Sequence, residues 1–290
     1  MSIVVIGNFD GVHKGHQQIL NRAKEIAGDE KIVALTFDPH PVSIFAPERA
    51  PTLLTILSDK IELLKIHNAD QVAVIKFIKE FAAMSPEDFV KKVLIEQLKA
   101  SKVIVGQNFT YGFKAAGNVD TLSQNTEFET IVLDLQSDEA ETISSTRIRK
   151  AIIDGQVESA REMLTRPHRL DGIVVHGEKR GREIGYPTAN LGNIEGQTIP
   201  ADGVYAGWLT VGIDRWPAAI SIGTNPTFEG VRGRQVEAYA LDQVGLDLYT
   251  KPATIEFGWR LRETLKFDGL EPLLAQMAID CKKARELTDL

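Results

Sequence analysis

Two histidines, His13 and His16, stand three residues apart in Gly7-Asn8-Phe9-Asp10-Gly11-Val12-His13-Lys14-Gly15-His16, between an apolar run and a helical pattern. Glycines let backbone approach a ligand closely, and a helix start offers unpaired N–H groups and a positive dipole end. Both imidazoles can therefore face one phosphate chain, with Gly7, Asn8, Phe9, Gly11 and Gly15 forming the cradle. Taken alone, the two histidines read equally well as ordinary surface or core residues. A second candidate is Gly177-Glu178-Lys179-Arg180-Gly181-Arg182-Glu183-Ile184-Gly185-Tyr186-Pro187-Thr188-Ala189-Asn190, a glycine-spaced charged loop closed by a rigid turn. By composition it could be a plain flexible hairpin. The chain has no Gly-x-x-x-x-Gly-Lys-Ser/Thr and no Gly-x-Gly-x-x-Gly, so neither an ordinary P-loop nor a dinucleotide fingerprint supplies a nucleotide site.

The elements that must position these residues differ between the halves. In the first, Ile3 to Ile6, Ile32 to Phe37, Val72 to Ile75, Val103 to Val105 and Ile131 to Leu135 read as buried strands. A helix is expected from about Gly15 to Ala27, stopped by Gly28, and another from Ser85-Pro86-Glu87-Asp88, which combines a cap, a first-turn proline and acids at the positive dipole end. Strands alternating with helices imply a parallel sheet whose ligands bind beyond the carboxyl ends of the strands. Two further helices, about Thr146 to Ile153 and Gln156 to Leu164, precede a change of pattern at Arg166-Pro167. Beyond it, Gly172 to His176, Val204 to Val211, Ala218 to Gly223, Val236 to Leu241 and Ala253 to Phe257 are short strands between turns, which predicts a small antiparallel barrel. A closing helix starts at Leu270, with Leu273, Leu274, Met277, Ala278 and Cys281 on one face.

Composition narrows the class. With 290 residues the expected organisation is two domains, 1–165 and 166–290. A hydrophobic share of 43% with 25% charged residues is that of a globular protein. The net charge of -7 argues against nucleic acid and anionic membrane surfaces as partners, so anionic ligands must be held locally. Cys281 is the only cysteine, which excludes an intrachain disulfide and a thiolate metal cluster. The opening Met-Ser-Ile-Val-Val-Ile-Gly has no basic leader or cleavage site, and no apolar run is long enough to span a bilayer, so a cytoplasmic location is expected.

His13-Lys14-Gly15-His16 after a first parallel strand resembles the signature of the nucleotidylyltransferase superfamily, which implies charge stabilisation during attack on the α-phosphate of ATP. Thr36-Phe37-Asp38-Pro39-His40-Pro41, Val105-Gly106-Gln107-Asn108-Phe109-Thr110-Tyr111-Gly112 and Ser144-Ser145-Thr146-Arg147-Ile148-Arg149 resemble the FAD synthetase module of bacterial flavin enzymes. The resemblance implies flavin contacts at Asn108 and Phe109. It also implies triphosphate contacts at Ser145, Thr146 and Arg147, although that stretch alone could be a helix cap followed by a solvated arginine.

Gly185-Tyr186-Pro187-Thr188-Ala189-Asn190 resembles the riboflavin kinase signature. That resemblance implies a loop through Gly177, Gly181, Gly185 and Pro187 over ATP, with Thr188 and Asn190 serving Mg²⁺ and the phosphates. It also implies Glu237 as the carboxylate that takes the proton of the riboflavin 5′-hydroxyl, and Arg262 as a flavin or phosphate contact. Residues 241–250 depart from the family pattern, as does Glu263 beside Arg262. Together the matches are similar to bacterial bifunctional riboflavin kinase/FAD synthetases: an α/β nucleotidylyltransferase domain of Rossmann-like parallel-sheet type, then a β-barrel with a C-terminal helix. The ligands implied are riboflavin, FMN, FAD and ATP with Mg²⁺, the flavin being substrate and product. The sequence leaves open a catalytically silent flavin-binding regulator, a nucleotidylyltransferase for another phosphorylated small molecule, and weak self-association.

Overall fold

The computed structural model describes residues 1–134, 137–138, 141–177, 184–224 and 234–289. Packing divides it into two compact units, Met1–Ser145 and Thr146–Leu290. The first holds five parallel strands, Ser2–Ile6 (β1), Lys31–Asp38 (β2), Gln71–Lys76 (β3), Ala100–Gly106 (β4) and Glu129–Leu133 (β5), in the order β3-β2-β1-β4-β5. All five expected strands are present, and β1 is buried along its whole length because helices cover both faces of a parallel sheet.

Helix α1, Lys14–Ile26, lays Ile19, Leu20 and Ala23 into the core, and Gly28 follows in the left-handed conformation that a helix stop favours. Helix α2, Leu57–Ile66, was not evident from periodicity, since two of its buried residues, Asp59 and Lys60, are charged. The helix expected from Ser85 does begin there, with the Ser85 hydroxyl accepting the Asp88 N–H at 3.1 Å. It continues as a π-helix over Phe89–Gln97, with Phe89, Val90, Val93 and Leu94 buried.

Helix α3, Ser145–Ile153, starts on the last residue of the first unit and opens the second, which continues with α4, Val157–Leu164, and then forms a closed barrel. Its strands are His168–Val175 (β6), Ala189–Gly192 (β7), Gly203–Val211 (β8), Asp214–Gly223 (β9), Gln235–Ala240 (β10) and Pro252–Arg262 (β11), in the order β6-β7-β10-β9-β8-β11. The short β7 was missed from sequence because Ala-Asn-Leu-Gly carries no β-branched or aromatic residue. Tyr205, Leu209, Ile220, Ile255 and Phe257 fill the interior, with the Tyr205 and Phe257 rings edge to face at 5.5 Å. Gly207 is required where β8 meets β11, since a Cβ there would run into the Glu256 carbonyl. The closing helix α5, Leu270–Thr288, packs on the barrel through Asp280 and Ala284, while Ala278, expected on that face, is exposed.

The barrel should be sensitive to its central ring. Phe257→Ala is expected to lower stability by about 3–5 kcal/mol, seen as a reduced denaturant midpoint. An unchanged midpoint would show that stability does not come from this core.

Candidate active site

The Gly7–His16 loop leaves β1 and enters α1 through three left-handed residues, Phe9, Gly11 and Val12. For Phe9 and Val12 this backbone is strained, at roughly 1–3 kcal/mol each, and persists only where surrounding bonds enforce it. Asp10, 2% exposed, supplies them. Its carboxylate accepts the Leu54 N–H at 3.0 Å and the Thr55 N–H at 3.1 Å, while the Thr55 hydroxyl accepts the Gly11 N–H at 3.1 Å. The Ser145 hydroxyl donates to the Asp10 carbonyl at 2.8 Å and the Thr36 hydroxyl to the Asn8 carbonyl at 3.1 Å. Gln17 closes the far side by donating to the Val12 carbonyl at 2.9 Å.

This scaffold stacks His13 on His16, ring centroids 3.7 Å apart. Phe9 is fully buried and meets His16 edge-on at 5.2 Å, so its ring positions the histidine and only its backbone can meet a ligand. Burial first, then the neighbouring His13 and Lys60 charges, hold the His16 pKa well below the ordinary value, leaving a neutral imidazole at pH 7. Gly15 keeps room for the pair, because a Cβ there would lie 3.3 Å from the His13 ring.

Gly7 and Asn8 also line a cavity of about 570 Å³ with Asn108 and Phe109. Its walls are aromatic: Phe37 and Phe77 meet edge to face at 5.6 Å, and Phe109 stacks on Tyr111 at 5.6 Å. These rings come from three separate segments, so spacing in sequence could not reveal the pocket. Thr146 and Arg147 follow Ser145 in the first turn of α3, Thr146 exposed and Arg147 half-buried.

In the barrel, β7 and β10 pair so that Asn190 lies opposite Glu237. Cross-strand partners share a face. The Thr188 hydroxyl donates to the Glu237 carboxylate at 3.1 Å, completing a cluster drawn from both motifs. Gly177 lies so close to Asn190 that a Cβ would collide with its amide. Pro187 and Thr188 border a cavity of about 520 Å³ with Val174, Leu209 and Tyr249. Gln243 and residues 245–249 line it as well, so the departure from the family pattern in 241–250 falls on its wall. Gly185 takes a left-handed conformation facing open space, and Gly181 lies outside the described residues.

Arg262 is not a free cation. Its guanidinium grips Asp280 through Nε at 3.0 Å and Nη2 at 2.7 Å, and Nη1 donates to the Glu263 carbonyl at 2.9 Å. With Asp280 buried, this fork-to-fork pair neutralises the charge expected to meet flavin or phosphate.

Comparison with known proteins agrees with these two constellations. Residues 1–147 match the FAD synthetase family model and residues 164–288 the riboflavin kinase family model. The bifunctional riboflavin kinase/FMN adenylyltransferase of Listeria monocytogenes is 38% identical, covering 98% of this chain and 91% of that protein. The protein of the same name from Escherichia coli K12 is 34% identical, covering 99% and 93%. The crystal structure of a macrolide-efflux protein from Streptococcus pneumoniae aligns with a TM-score of 0.89 at 32% identity, covering 98% of this chain and 93% of that one. Among the described residues no helix is long and apolar enough to cross a membrane. With both halves matched and the similarity carried along nearly the whole length, the chain belongs to the bifunctional riboflavin kinase/FMN adenylyltransferase family.

Proposed function

We propose that this protein phosphorylates riboflavin to FMN with ATP and then transfers AMP from a second ATP to FMN, giving FAD and pyrophosphate. The observation that carries this is that each unit joins a cavity of a size for a flavin or adenine ring to a loop suited to phosphate. In the first, Gly7 and Asn8 are shared by the aromatic cavity and the histidine loop. In the second, Thr188 is shared by the barrel cavity and the Glu237 cluster.

In the kinase step, Glu237 accepts the proton of the riboflavin 5′-hydroxyl as that oxygen attacks the γ-phosphorus. The Thr188 bond fixes the carboxylate for this. Thr188 and Asn190 offer hard oxygens of the kind Mg²⁺ prefers, and a bound Mg²⁺ would offset charge on the phosphates. Gly177, Gly185 and Pro187 border the nucleotide, and Arg262, tied to Asp280, joins the last strand to the closing helix near the flavin or phosphate it was expected to meet.

In the adenylylation step, an oxygen of the FMN phosphate bonds to the α-phosphorus and the bond to the pyrophosphate oxygen breaks. The nucleophile is already ionised, so no base is needed. His13 and His16 donate hydrogen bonds to the phosphates, Ser145, Thr146 and Arg147 add further contacts, and Asn108 and Phe109 hold the flavin. Adenylylation is assigned to residues 1–165 and phosphorylation to 166–290. The net charge of -7 disfavours nucleic-acid and anionic-membrane partners, and we assign a cytoplasmic enzyme that self-associates weakly.

A chromatographic time course with riboflavin, ATP and Mg²⁺ should show FMN rising first and FAD following; absence of both products would sink the assignment. Glu237→Gln is expected to slow FMN formation by about 100-fold or more while FAD formation from supplied FMN stays within about twofold. Undiminished kinase turnover would remove Glu237 from its role. His16 titrates lower in the folded chain than in the unfolded one, so the unfolded chain binds more protons in that window. Stability should therefore be level above about pH 6.5 and fall as pH drops below it. His16→Gln should flatten that acid limb in denaturant titrations between about pH 5 and 8, and an unaltered limb would show that His16 is not its source.

A further inference from the structure

Lys60 is 6% exposed on α2, yet among the described residues its ammonium makes no hydrogen bond or ion pair. A buried charge without a partner is costly, and such groups are ordinarily paired or neutralised. Its electrostatic neighbours are His16 across the loop and the carboxylates of Asp10 and Asp38. Asp10 is not its direct partner, because that carboxylate is engaged by the Leu54 and Thr55 N–H groups. Those same bonds fix the start of α2, since Thr55 lies just ahead of Leu57. The strained loop and the Lys60 helix are thus tied together at one point.

The adenylylation chemistry needs such a charge. Two anions, the FMN phosphate and the ATP triphosphate, must meet, and negative charge passes to the departing pyrophosphate. His16 is held neutral and Lys14 is exposed. Lys60 is a buried positive side chain on the helix that Asp10 and Thr55 tie to this loop, and its charge acts on His16.

We propose that Lys60 is a further phosphate-binding residue of the adenylylation site, its ammonium taking an oxygen of the ATP phosphate chain and holding the charge that leaves on pyrophosphate. This rests on the adenylylation reading above. The phosphate oxygen of FMN forms its bond to the α-phosphorus, the α–β bridging bond breaks, and its electron pair departs on pyrophosphate. No proton is transferred, so Lys60 acts as a cation throughout. Asp10 and Asp38 oppose the fall in its pKa that burial causes and so favour the charged form before ATP arrives.

The test uses the full chain with Lys60→Met and Lys60→Arg, measuring FMN formation, FAD formation from FMN, and calorimetric binding of magnesium pyrophosphate. Lys60→Met should lower kcat for FAD formation by about 100-fold and pyrophosphate affinity by about tenfold, with FMN formation unchanged. Lys60→Arg, which keeps the charge, should recover most of the pyrophosphate affinity. If Lys60→Met keeps FAD turnover and pyrophosphate affinity within about threefold of wild type, the proposal is overturned. A structural role is separated by wild type itself: the Lys60 side-chain resonance should shift on titration with magnesium pyrophosphate, and an unmoved resonance overturns the proposal even if the Met variant does not fold. A wild-type chain that makes FMN but no FAD would overturn the adenylylation reading instead, and the pyrophosphate titration would then decide the Lys60 contact alone.

Discussion

The first unit is organised around one buried carboxylate. Asp10 holds the segment before α2 against the loop before α1, and the left-handed backbone at Phe9, Gly11 and Val12 exists because that grip outweighs its strain. Histidine stacking, the burial of Phe9 beneath it and the placement of Lys60 all follow. A loop so constrained meets a phosphate chain already in position, so little conformational entropy is lost when the ligand binds.

The barrel reaches a comparable end by another route. Its cluster depends on strand register: Asn190 and Glu237 meet because β7 and β10 pair antiparallel, and a one-residue slip would turn them to opposite faces. Thr188 then ties the loop before β7 to the carboxylate. The left-handed turn that strains one site is replaced by sheet hydrogen bonding in the other.

Much of this was legible in the sequence, and the gaps share a cause. Buried parallel strands and an amphipathic α1 declare themselves through apolar runs and periodicity, so all five strands of the first sheet were placed. Helix α2 was not, because Asp59 and Lys60 interrupt its buried face. The histidine loop and the Thr188–Asn190 motif are local in sequence, whereas the aromatic cavity gathers Phe37, Phe77 and Phe109 from distant segments. Arg262 sits in a local motif, but its partner Asp280 lies on another element, so the pairing could not be read from spacing. Charges that tertiary structure buries break the patterns on which sequence inference depends.

The closure of the barrel has a further consequence for how the two units withstand misassembly. Six strands joined in a ring leave no unpaired edge to recruit a strand from another chain. The first sheet is open and ends at β3 and β5, each starting on an exposed polar residue, Gln71 or Glu129, with no fully buried residue inside and Val132 of β5 exposed. During synthesis or heating, intermolecular strand pairing therefore has its template in the nucleotidyl-transfer unit, and protection against aggregation there depends on keeping those two borders covered.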